Sequence, residues 1–128
     1  MAKGKVLPQV LGWICTLSFF ASGAAHGLMG WPEVVALLQP YSLPEDLLAG
    51  LAAGWYFGSA CMICFGCITA HATRQVRRGV SSPALWPLGL LYLTFGTAAF
   101  VLRNMDPHFL LFILTGALTT LLAWTSRP

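Results

Sequence analysis

Three groups of side chains in this sequence have the types and spacing that chemistry needs. Cys61, Cys64 and Cys67 recur at three-residue intervals, which has the look of an iron-sulfur or metal motif. His26 with Met29, and Met105 with Asp106 and His108, offer two imidazoles, two thioethers and a carboxylate. Thioether with imidazole suits copper, and a His/His or His/Met pair suits haem iron. Asp106 is placed to act as a further ligand or to fix a histidine tautomer. His26 and His108 are therefore the candidate cofactor-binding residues, and His26, Met29, Met105 and His108 the candidate metal ligands. The plainer alternative is that His26 bonds a backbone carbonyl, His108 is solvated and the methionines fill gaps. On a regular helix the three cysteines fan across an arc and converge poorly, so packing is their expected role. A disulfide between Cys15 and Cys67, expected at nearly the same depth, is allowed by geometry and supported by nothing else.

The elements that must position these residues are set by charge. Residues 6–32, 47–73, 79–102 and 107–126 contain no Asp, Glu, Lys or Arg. Each stretch supplies the roughly 17 to 25 apolar residues that a helix needs to cross a hydrocarbon layer. With 57% hydrophobic and 9% charged residues in 128, and a mean hydropathy of +0.73, the chain is too apolar for a soluble domain and too short for two. The runs are continuous and rich in Leu, Ala and Gly, which favours helices over the alternating strands of a barrel. The expected fold is an all-α transmembrane four-helix bundle, up-down-up-down, in one domain, with spans at about 10–29, 47–71, 84–102 and 108–124. The net charge of +3 comes from a few loop residues and points to no nucleic acid.

Lys3 and Lys5 precede the first span, Arg74, Arg77 and Arg78 follow the second, and Arg127 follows the fourth; only Arg103 lies in the other loops. The positive-inside rule then puts both termini in the cytoplasm, in a bacterial inner membrane or its equivalent. All four acids, Glu33, Glu45, Asp46 and Asp106, fall on the opposite side. The N-terminus also imitates a secretory signal, with two lysines, an apolar core and the small residues of 21–25. Cleavage would remove a whole span, and an uncleaved first helix is expected.

Local signals refine the spans. Trp31-Pro32 is expected to end the first, and 33–39 to form a short surface helix before Pro40. Ser42 and Glu45 have the spacing of a capping box, opening a helix that runs to Arg78 and stops at Gly79, roughly 54 Å long. Ser82-Pro83 and Asp106-Pro107 each pair a capping side chain with a proline at the first helical position. Pro87, one turn further on, predicts a kink or distorted first turn. Arg74, Arg77 and Arg78 share a face suited to topology anchoring and to anionic headgroups. Gly23 and Gly27 on the first helix, and Gly50, Gly54 and Gly58 on the second, recur every four residues and predict close packing between these helices. A neighbouring protein's helix or a flat ligand is the alternative occupant of that ladder.

A proton- or ion-coupled transporter generally needs an intramembrane charge, and the spans have none. No phosphate loop, nucleophile elbow or zinc-protease helix is present, and no catalytic residue is expected. His71 lies at the far end of the second span and cannot join His26.

The segment Phe19-Phe20-Ala21-Ser22-Gly23-Ala24-Ala25-His26 resembles the end of the first helix in DoxX-like small membrane proteins. The Pro40 to Pro44 loop, the glycine-rich second helix through Gly58, the Arg77-Arg78 exit and the four-span plan are similar to that group. Where many members carry an acid in helix two, this chain has Trp55, Tyr56 and Ser59. The resemblance implies a tie to quinone or thiol redox systems. The functional expectation is a non-catalytic accessory or assembly subunit of a larger membrane complex concerned with electron transfer, bound to other integral membrane subunits. The alternatives are a haem- or copper-binding redox protein using the His/Met residues, and a quinone- or lipid-binding protein with its site near Trp55 and Tyr56.

Overall fold

The computed structural model describes residues 6–126, so Lys3, Lys5 and Arg127 lie outside the described residues. Helix α1 covers Val6–Ala25, widens into a π-turn at His26–Gly30 and continues as α2, Trp31–Leu38, and a 3-10 turn at Gln39–Tyr41. Helix α3 is Glu45–Arg77, α4 Leu85–Leu102, and α5 Leu110–Thr125 after a 3-10 turn at Pro107–Phe109. No strand occurs among the described residues. Four helical segments, Val6–Tyr41, Glu45–Arg77, Leu85–Leu102 and Pro107–Thr125, are long and apolar enough to cross a membrane.

The first segment does not end at Trp31-Pro32. It runs on for 36 residues, because the π-turn absorbs the proline. The ring of Pro32 clashes with the carbonyl four residues back in a regular α-helix and offers no N–H. Widening one turn to i→i+5 bonding relieves that conflict without stopping the helix. The capping box at Ser42 does not form either. Ser42 is left-handed, with φ 47°, and Pro44 becomes the N-cap, its carbonyl accepting from Leu48 N–H at 3.1 Å. Leu43 precedes a proline and is pushed out of the α region, so no helix can begin before Pro44.

The other ends follow their chemistry more closely. After Arg78, Gly79 is left-handed at φ 81°, and the amides of Gly79 and Val80 donate to Val76 and Gln75. These are the paired bonds of a Schellman close. Asp106 Oδ1 accepts from His108 N–H at 2.9 Å and caps the last segment. The Ser82-Pro83 cap does not form: helix α4 starts two residues after Pro83 with Ala84 as its N-cap and no side-chain cap, entered instead by turn bonds from Leu85 N–H to the Ser82 carbonyl (3.3 Å) and from Trp86 N–H to the Pro83 carbonyl (3.2 Å). Pro87 falls in this first turn, where a missing N–H costs little.

The core forms along two seams. Helix α1 lies against α3, with Gly12 under Thr73, Gly23 under Ser59 and Ile63, Gly27 under Ser59 and Gly30 under Trp55, so the contacts descend one helix as they climb the other. Helix α4 lies against α5 through Gly89 under Thr120, Gly96 under Ile113 and Gly116 under Leu93. Helices α1 and α5 join the two seams. Cys15, Phe19, Tyr92 and Phe112 make one buried cluster, and Ala72, Leu85, Leu122 and Ala123 the other. The buried Thr16, Thr69, Thr73 and Thr119 each donate to the carbonyl four residues back at 2.8 Å, which satisfies their hydroxyls without water.

Candidate functional site

The candidate His and Met residues lie at the end of the molecule that carries the acids, and the three cysteines of α3 do not. His26 opens the π-turn and is half-buried. Its ring stacks on Trp55 of α3, with centroids 4.1 Å apart and planes 8° from parallel. The same indole donates its Nε1–H to the His26 carbonyl at 2.6 Å. One tryptophan therefore holds both the side chain and the backbone of the histidine. This bond supplements the carbonyls of a turn that the bulge has already distorted. A Cβ on Gly30 would stand 2.8 Å from the Trp55 ring, so the absence of a side chain there lets the indole reach in. Trp31 closes the group, 6.1 Å from both Trp55 and Tyr56.

His108 sits in the first turn of the fourth segment, exposed, edge-on to Phe109 and 6.1 Å from Phe112. It belongs to the same end of the helices as His26. The thioethers turn away. Met29 is 66% exposed and Met105 60% exposed. The wider π-turn advances side chains less per residue than an α-turn, so His26 and Met29 do not share a face. Met105 is left-handed, at φ 63°, beside Asn104 at φ 54°. The carboxylate of Asp106 is engaged by the His108 amide. Among the described residues no three His, Cys, Asp or Glu side chains are grouped to hold a metal ion. The described geometry therefore contains one histidine, His26, held in an aromatic cluster of Trp55, Trp31 and Tyr56, and a second, His108, packed against Phe109 and Phe112.

The four cysteines are free thiols: Cys15 buried, Cys61 half-buried, Cys64 and Cys67 exposed on α3. Cys15 and Cys67 are not bonded to each other. Among the described residues, two polar atoms in the interior have no hydrogen-bond partner, Ser59 Oγ beside Gly27 and Tyr92 Oη in the aromatic core. Neither was singled out as a polar buried atom by sequence, because a serine or tyrosine in an apolar run carries no spacing signal. The link between His26 and Trp55 did leave a trace. Pro32 inside a continuing apolar pattern, with Gly27 and Gly30 just before it, is what a bulged helix requires.

The predicted glycine ladder divides. Gly23 and Gly27 are packed under α3, and Gly58 lies beside the His26 ring at 3.4 Å from where its Cβ would be. A Cβ added at Gly50 or Gly54 would meet nothing of the described residues within 4 Å outside its own turn of helix. Around them Leu47, Leu51, Tyr56 and Phe57 are exposed, from 43% to 70%. Nothing from residue 24 to residue 65 is buried. Within this stretch, Pro32, Val35, Leu38, Leu43 and Leu48 line a largely apolar groove of about 510 Å3 between α2 and the start of α3. No family model matches this chain, and no curated protein or solved structure matches it either.

Proposed function

We propose that the chain is a non-catalytic accessory or assembly subunit of a larger membrane complex concerned with electron transfer. It inserts as an up-down-up-down four-helix bundle with both termini cytoplasmic, in a bacterial inner membrane or its equivalent. The observation that carries this reading is the uncovered half of α3. Only 11% of that helix's most apolar window is buried, against 39% for the first segment. In lipid, helices associate through small residues that let backbones approach, and Gly50 and Gly54 offer such an approach with nothing yet on it. The apolar groove beside Leu48 extends the same surface. The resemblance of 19–26 and of the four-span plan to DoxX-like proteins supports the electron-transfer setting.

The test is gentle extraction in a mild detergent with a photo-crosslinking side chain in place of Leu51. The expected result is co-purification of, and crosslinking to, another integral membrane subunit. A monomer with no companion overturns the reading. Gly54→Leu, which meets open space within the chain, should release the companion and leave the monomer folded.

A second reading, a redox-ligand site for haem, copper or a quinone, is favoured by one observation: the His26 ring stacks on Trp55 within a cluster that includes Trp31 and Tyr56, and His108 belongs to the same end of the chain's helices. Bis-imidazole ligation suits haem iron, and stacked aromatic rings suit a planar headgroup. A protein purified from cells supplied with haem and copper should then show an absorption band or bound metal that His26→Ala removes. A colourless preparation, free of metal and of extractable quinone, sinks it.

A further inference from the structure

We propose that the arginine-bearing end of α3 seats one anionic phospholipid, its phosphate between Arg74 and Arg78 and an acyl chain along the exposed strip that ends in Cys67, Cys64 and Ala60. This rests on the chain spanning a membrane and on no partner. Positions 57, 60, 64, 67, 71, 74 and 78 follow one another at alternating intervals of three and four, and all seven are exposed. They form one line down the helix, on the side opposite the buried Thr69, Ala72, Thr73 and Val76. The line changes character along its length. Phe57, Ala60, Cys64 and Cys67 are apolar or small, while His71, Arg74 and Arg78 are polar or cationic.

Dimensions match one leaflet. Helix α3 has 33 residues, about 50 Å, so it overshoots a hydrocarbon layer of about 30 Å and its last turns reach headgroup depth. From Arg74 to Cys64 is about 15 Å along the axis, half of that layer. Phosphate at one end and chain at the other are therefore met by the same strip, which a free phosphate would not use.

Charge complementarity selects the headgroup. Every side-chain carboxylate in the sequence, Glu33, Glu45, Asp46 and Asp106, falls at the opposite ends of the helices, so among the described residues Arg74, Arg77 and Arg78 have no acidic side chain at their own end. Guanidinium groups bind phosphate through paired N–H donors. One turn toward the membrane, Gln75 Nε2 lies 3.1 Å from His71 Nε2.

The experiment compares lipid retained by the purified protein in nanodiscs of phosphatidylglycerol or of phosphatidylcholine, read by native mass spectrometry after release into detergent. The wild type is expected to retain phosphatidylglycerol at least roughly tenfold better, and Arg74→Gln with Arg78→Gln to lose most of that preference. Arg74→Lys with Arg78→Lys keeps the charge that orients insertion, and should reduce retention several-fold through loss of the paired donors. Ala60→Trp, which touches no charge, should also lower retention by obstructing the chain. Equal retention of the two lipids overturns the proposal, as does retention unchanged in all three variants, or complete displacement by inorganic phosphate. None of these outcomes depends on whether a companion subunit co-purifies.

Discussion

The two halves of α3 make opposite use of the same kind of sequence. Toward its arginine end, Gly66, Thr69, Ala72, Thr73 and Val76 are buried, and the helix meets α1 and the Leu85/Leu122 cluster. Toward its acidic end the helix is free of charge from residue 47 and richer in glycine, yet Gly50 and Gly54 look onto open space. Small residues at four-residue spacing permit close packing without specifying a neighbour. The neighbour is supplied by other residues, such as Thr73 lying over Gly12 or Phe20 lying 3.0 Å from where a Gly66 Cβ would stand.

Substitutions that push on each half should separate them, and the α4–α5 seam sets the upper end of the scale. Gly116→Leu drives a side chain into the Leu93 backbone and is expected to cost about 3 kcal/mol or more, seen as loss of a cooperative thermal transition in detergent. Trp55→Phe keeps an aromatic face for His26 and removes the indole donor to its carbonyl. A loss of about 1 kcal/mol is expected, with faster amide exchange confined to 26–41. Unchanged exchange there would mean that the bulge holds itself. Tyr92→Phe deletes a buried hydroxyl that has no partner among the described residues and should leave stability equal or raise it by about 1 kcal/mol, read from the same thermal scan. The smallest effect is expected of Gly54→Leu. With open space at that position and a better helix former in place of glycine, monomer stability should stay within about 0.5 kcal/mol. A large drop in the isolated monomer would show that the acidic half is packed after all, and would close the difference between the two regions.

Parts of the architecture were legible in residue order because they depend on one residue's own backbone. Gly79 stops α3 since a left-handed position favours a residue without Cβ, and Asp106 caps because its carboxylate reaches its own neighbour's amide. Four charge-free runs likewise announced four long helices, since length and hydropathy alone decide whether a helix can cross lipid. Local chemistry misled where two signals competed. Ser42 had capping spacing, but Pro44 bars Leu43 from the helix, and Pro32 looked like a stop until one widened turn accommodated it.

The candidate site was legible as an inventory and hidden as an arrangement. His26, His108, Trp55 and Tyr56 were visible as residue types. That Trp55 grips His26 twice, that Met29 and Met105 turn outward, and that Gly50 and Gly54 stand uncovered follow from where helices meet. By itself the sequence determined the number, length and apolar character of the helices and several of their ends. Only the tertiary structure decided which faces touch, because in a lipid-spanning helix the packed face and the lipid face are both apolar and hydropathy cannot tell them apart.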